Sequence, residues 1–147
     1  QVLHAGDVAY ERGGASRLSP SELLAQLAAV APVAAVRGNA DDKGAPGHGL
    51  PGTRAWSCGG RRFVLHHGDL ISWKSDAAVL AALEPAGGWR DTDVVVSGHS
   101  HAPRFVRHPR GVHFLNPGSA GPKRFSTPRQ LAIVRWGADS DSGELEV

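Results

Sequence analysis

Four apolar stretches of this chain stop in the same way, at a glycine beside an Asp, an Asn or a His: Gly6-Asp7, Gly38-Asn39, His67-Gly68 and Gly98-His99-Ser100-His101. Together they offer a carboxylate, an amide oxygen and three imidazoles. Mixed nitrogen and oxygen donors suit zinc, manganese, iron or nickel better than calcium, which takes oxygens alone. Taken singly, most of these pairs have a plainer explanation. Gly-Asp and Gly-Asn are ordinary turn chemistry, and a lone His67 is as readily a satisfied core histidine. Two imidazoles one residue apart, directly behind an Asp-Val-Val-Val-Ser run, are different. They are costly at a strand end unless something uses them. The ordered set makes chance the minority explanation, and Asp7, Asn39, His67, His99 and His101 become the candidate site residues.

Side chains this far apart in sequence meet only if their strands finish at one edge. In open α/β sheets, ligand sites lie beyond the carboxyl ends of the strands, and glycine lets the backbone turn sharply there. Residues 1–4 read as a strand that stops at Ala5-Gly6-Asp7. After a break at Gly13-Gly14, Ser19-Pro20-Ser21-Glu22 has the form of a capping box with Pro at the first helical position. Leu23, Leu24, Leu27 and Val30 then repeat at helical spacing, which predicts about three turns of helix. Residues 33–36 and 93–97 are buried-strand candidates, and 40–52 read as a loop. Strands at 53–57 and 61–65 are joined through Gly59-Gly60, a hairpin signal. Ser75-Asp76 is expected to cap a helix carrying Val79, Leu80 and Leu83, ending before Gly87-Gly88. Segments 104–108, 112–116, 131–136 and 144–147 read as strands, with turns at Pro109-Arg110-Gly111 and Asn116-Pro117-Gly118. Early βα alternation followed by a β-rich tail predicts an α/β fold with mixed sheets.

The composition fits that frame. In 147 residues, 41% are hydrophobic and 20% charged, enough for one domain with a real core and against wholesale disorder. No repeat or internal linker divides residues 1–147. No apolar run approaches the roughly 20 residues of a membrane span. A net charge of +2 is too mild to imply nucleic-acid binding. The single Cys58 excludes an internal disulfide and suits a reducing, cytoplasmic setting. There is no methionine and the chain starts at Gln1, which is read as a processed or incomplete start.

With these residues in order, the chain resembles the calcineurin-like metallophosphoesterases, specifically their small phosphodiesterase branch of the YfcE type. The matching stretches are Leu3-His4-Ala5-Gly6-Asp7, Val36-Arg37-Gly38-Asn39-Ala40-Asp41, Leu65-His66-His67-Gly68-Asp69, Val96-Ser97-Gly98-His99-Ser100-His101, and Leu115-Asn116-Pro117-Gly118-Ser119 with Pro122-Lys123-Arg124. The resemblance implies a sandwich of two mixed β-sheets flanked by helices, with a centre of two divalent transition metal ions at the strand ends. Manganese is the first expectation; nickel, iron and zinc are the alternatives. Carried over by position, Asp7 would bridge both ions, Asn39, His67 and His99 would complete the second metal's set, and His101 would bind the first. Asp7, His67, His99 and His101 would form the catalytic group. The implied reaction is hydrolysis of a small phosphodiester or phosphomonoester by a metal-bridging hydroxide. A homo-oligomer is compatible with this; a membrane or nucleic-acid partner is not expected.

The family pattern also places an Asp-x-His on the opening strand, and no Asp-x-His occurs in this chain. The expectation is that about 30 residues, a strand and a crossover helix, are missing ahead of Gln1. The first metal then keeps only Asp7 and His101. That predicts at most one well-held ion, little activity, and an exposed strand edge that invites aggregation. Two smaller departures are Ala40, where many superfamily members have His, and Asp69, where this branch often has His.

Other functions are weaker. A protein-interaction scaffold, like the retromer subunit with this fold, would be expected to have lost several of the five ligand positions. Neither Ser100 nor Ser119 lies in a Gly-x-Ser-x-Gly elbow, Cys58 sits near a hairpin turn, and no P-loop is present.

Overall fold

Gly59 and Gly60 have φ values of +54° and +77°. Left-handed backbone at both positions is what a tight two-residue hairpin requires. It joins β3 (Thr53–Cys58) to β4 (Arg61–His66) in antiparallel register. The computed structural model describes residues 1–8, 18–41, 49–69, 76–83, 94–121 and 126–136. Within them β5 (Val94–Val96) and β7 (His113–Asn116) continue the sheet in parallel, and β6 (Arg104–Arg107) closes it antiparallel to β7. The strand order is β3-β4-β5-β7-β6. Parallel neighbours need a crossover. Helix α2 (Asp76–Leu83) lies between β4 and β5 in the chain.

A second sheet pairs β1 (Val2–His4) with β2 (Val33–Ala35) in parallel, with α1 (Pro20–Val30) between them in sequence. The predicted capping box is present. Glu22 N–H donates to Ser19 Oγ, and Ser19 N–H donates to the Glu22 carboxylate.

Alternation along the strands divides the core in two. Phe63, Leu65, Val94, Val96 and Leu115 cluster with Ala34 of the smaller sheet and with Val36, the residue after β2. Val64, Val95 and Phe114 point the other way, onto Val79 and Leu80 of α2. The five-stranded sheet is therefore covered by a sheet on one face and a helix on the other, as expected for the fold.

One expected strand differs. In 131–136 only Arg135 makes a bridge, so no ladder forms. The alternation still operates: Ala132, Val134 and Trp136 pack on the inter-sheet core, while Leu131 and Ile133 are exposed. Trp136 Nε1–H donates to Gly59 O, so the segment is held by side chains instead. The expected features at Gly13-Gly14, Ser75, Gly87-Gly88, Pro122-Lys123-Arg124 and 144–147 lie outside the described residues. Among the described residues no helix is long and apolar enough to cross a membrane.

Candidate metal centre

The strand ends of β1, β2, β4 and β5 deliver their loops to one place, and glycines make the approach possible. A Cβ on Gly38 would run into the backbone N and Oδ1 of Asp7. One on Gly6 would stand 2.7 Å from His67 Nδ1 and 2.8 Å from Gly38 N. One on Gly98 would stand 2.9 Å from Ala5 O. Asp7, His99 and His101 have φ of +52°, +59° and +56°, and they are the non-glycine residues with positive φ among those described. Left-handed backbone is unfavourable for an L-residue. All three are residues expected at the site from the sequence, and strain of this kind gathers at ligand sites.

Four donor atoms meet. Asn39 Oδ1 lies 3.1 Å from His67 Nε2 and 3.0 Å from His99 Nδ1. The two imidazole nitrogens are 3.3 Å apart, and Asp7 Oδ1 is 3.5 Å from His67 Nε2. His101 follows two residues after His99 on the same loop, half-buried. His67 is buried whereas His99 is exposed, so the cluster opens to solvent on the His99 side.

The tautomer of His67 is fixed by its other nitrogen. Nδ1 lies 2.7 Å from Ala5 O, which can only accept, so Nδ1 carries the proton. In the neutral ring Nε2 is then a lone pair facing Asn39 Oδ1 and Asp7 Oδ1, both acceptors. Asp7 Oδ1 accepts from Ala40 N–H at 2.8 Å, and a single proton on His99 Nδ1 is left to serve both the His67 lone pair and Asn39 Oδ1. A cation serves them better. Donors about 2.1 Å from a common ion stand about 3.0–3.4 Å apart in octahedral or tetrahedral geometry, close to the separations found here. The residues fit one divalent ion. Among the described residues no three His, Cys, Asp or Glu side chains form a metal-holding group by themselves. Asn39 Oδ1 is the atom that the two imidazoles share.

Neighbouring groups are held neutral. Burial pushes His66 down to about 4, helped by adjacent His67 and partly opposed by Asp69. Burial also lowers His4, against the pull of Asp41. Two supporting residues, quoted within the matching stretches, were given no site role from the sequence. Asn116 Nδ2 donates to Gly98 O at 2.8 Å and to Ser100 Oγ at 3.0 Å, holding the loop that bears both site histidines. Asp41, buried, accepts from three backbone N–H groups of the β1 and β2 loops. The available signal was its place two residues after Asn39; its partners are main-chain groups, which carry no sequence signature.

Residues 1–139 match the calcineurin-like phosphoesterase superfamily domain. The chain belongs to that superfamily. A protein of Methanothermobacter thermautotrophicus named "probable metallophosphoesterase" is 32% identical over 132 residues, covering 90% of this chain and 67% of the relative. A second of that name, from Methanocaldococcus jannaschii, is 31% identical over 118 residues, covering 80% and 52%. Among solved structures, YfcE, a phosphoesterase from E. coli, superposes with a TM-score of 0.56 at 25% identity, over 86% of this chain and 68% of YfcE. The zinc complex of Vps29 from Entamoeba histolytica gives 0.59 at 25% identity, over 81% and 57%. This calcineurin-like phosphoesterase chain thus spans between 52% and 68% of the length of these four proteins.

Proposed function

We propose that this chain carries part or all of a metal-dependent phosphoesterase centre acting on a small phosphodiester. The reading rests on the meeting of Asp7, Asn39, His67 and His99 donor atoms at 3.0–3.5 Å with the His67 tautomer set by Ala5 O. A divalent ion held there supplies Lewis acidity toward phosphoryl oxygens and lowers the pKa of water. Manganese is preferred, with zinc, nickel and iron compatible with the same donors. Asp7 would supply the anionic ligand and would be shared with any second ion. Half-buried Asn39, buried His67 and exposed His99 would hold the ion together with Asp7. His101, next on the loop, is assigned to the first metal.

The test is a metal titration followed by hydrolysis of bis-p-nitrophenyl phosphate with Mn²⁺. The expected result is one tightly bound ion per chain and low turnover. Asp7→Asn should weaken ion binding measurably and lower turnover by about a hundredfold. Two tightly held ions with full turnover would refute the single-ion assignment. No ion at all, or an active Asp7→Asn, would refute the metal reading.

A second reading, a protein-interaction scaffold, draws on the likeness to Vps29 and on Leu131 and Ile133, 70% and 56% exposed. It predicts that Asp7→Asn leaves the biological role intact, whereas Leu131→Asp with Ile133→Asp removes it.

A further inference from the structure

Both oxygens of the Asp41 carboxylate are engaged by main chain. Oδ2 accepts from Asp7 N–H at 3.0 Å and from Gly38 N–H at 2.7 Å, and Oδ1 accepts from Val8 N–H at 2.9 Å. Asp41 N–H in turn donates to Gly38 O at 3.2 Å. The side chain therefore spans two loops that are 33 and 34 residues apart. A return contact runs the other way: Ala40 N–H, beside Asp41, donates to Asp7 Oδ1 at 2.8 Å. Each loop offers its carboxylate to the amides of the other.

We propose that Asp41 is the positioning residue of this centre: it clasps the β1 loop to the β2 loop and so sets the Asp7 carboxylate against the Asn39 amide before any ion arrives. The inference rests on the metal reading above for its purpose, but the clasp itself exists without metal. Asp7 holds a left-handed backbone at φ +52°, a conformation that needs outside support. The N–H of Asp7 and of the following residue, Val8, are two of the three groups whose hydrogen bonds Asp41 accepts. A carboxylate is required rather than an amide. Asn at this position has one acceptor oxygen, and its NH₂ would face at least one of the three N–H donors. Burial makes that mismatch costly, because Asp41 is only 4% exposed. Supporting groups of this kind orient metal ligands, and their loss typically weakens binding by about 10- to 100-fold.

Amide hydrogen exchange on the metal-free full chain, followed by Zn²⁺ titration, decides the matter. In wild type the Asp7, Val8, Gly38 and Ala40 amides should exchange through one common opening. In Asp41→Asn the Ala40 amide, which Asp41 does not bind, should exchange at least about tenfold faster, while β4 and β5 amides keep their protection. Zn²⁺ affinity should fall about tenfold or more. In an Asp7→Asn background the same change should leave Zn²⁺ binding no weaker than Asp7→Asn alone. A purely structural role predicts the opposite, a loss of protection throughout the sheet and an effect on affinity independent of Asp7. An unchanged Ala40 amide overturns the proposal. If Asp41→Asn does not fold, the wild-type pattern decides: an Ala40 amide that exchanges independently of Asp7, Val8 and Gly38 overturns it. Failure of the metal reading shows separately, as a wild-type chain that keeps the coupled amides but takes up no Zn²⁺.

Discussion

Asp7, His99 and His101 hold left-handed backbone conformations, each at a cost of roughly 1–2 kcal/mol for an L-residue. The fold tolerates this because hydrogen bonds and close glycine contacts over-determine the loops. Burial of titratable groups beside them has a separate consequence for stability. His66 titrates at about 4 in the folded chain against 6.5 as a free side chain, chiefly because it is buried. Between those values the unfolded chain binds a proton that the native one refuses. Stability is therefore complete above about pH 6.5 and falls as the pH drops toward 4, by on the order of 3 kcal/mol for this residue. His113, lowered by burial and by Arg107 and Arg61, adds to the loss below 6.5. Urea unfolding of the metal-free chain at pH 7 and pH 4.5 should show this decline, and His66→Phe, unable to titrate, should flatten most of it. An equally steep decline in His66→Phe would assign the effect elsewhere.

At the scale of elements, two glycines that look alike in sequence should behave differently. Gly38 sits where a Cβ would meet the backbone of Asp7, which cannot swing aside. Gly60 has open space but a φ of +77°. Gly38→Ala should cost about 1–3 kcal/mol from overpacking and should pull the β1 and β2 loops apart, weakening Zn²⁺ binding more than tenfold. Gly60→Ala should cost only the left-handed strain, about 1–2 kcal/mol, with Zn²⁺ binding unchanged. Calorimetric titration of both variants checks the contrast; equal binding in the two would refute the loop assignment. Both glycines were legible as punctuation, as were the capping box of α1, the Gly59-Gly60 hairpin and the strand ends at Gly6, Gly38 and Gly98, because those features follow from local chemistry. The convergence of Asp7, Asn39, His67 and His99 was legible only through their order and resemblance. The strand expected at 131–136 was not realised. Alternation reports which side chains are buried, and Ala132, Val134 and Trp136 are turned to the core; it says nothing about whether a neighbouring strand is in reach for pairing. Asp41 stayed hidden because its role lies in contacts to backbone across 33 and 34 residues.

Across the whole molecule the candidate centre straddles the two sheets. Asp7 and Asn39 follow β1 and β2 of the smaller sheet, whereas His67 and His99 follow β4 and β5 of the larger. An ion bound to all four would add a link between layers already joined by the apolar cluster of Ala34 and Val36 with Phe63, Leu65 and Val96 and by the hydrogen bond from His67 Nδ1–H to Ala5 O. Its binding free energy would then appear in global unfolding, since separating the layers destroys the site. A ligand that binds only the native state stabilises by about 2.7 kcal/mol at a hundred times its Kd. For a chain of this length that corresponds to an upward shift in Tm of several degrees. Zn²⁺ should therefore raise Tm with a logarithmic dependence on its concentration, EDTA should reverse the shift, and exchange of β4 and β5 amides should slow along with those of the loops. In Asp7→Asn the shift should shrink sharply, because the ion loses its anionic ligand from the smaller sheet. If Zn²⁺ slowed exchange only in the Gly98-His99-Ser100-His101 loop and left Tm unchanged, the ion would be held by one sheet alone. The four-residue centre would then be wrong, however well its donor distances match.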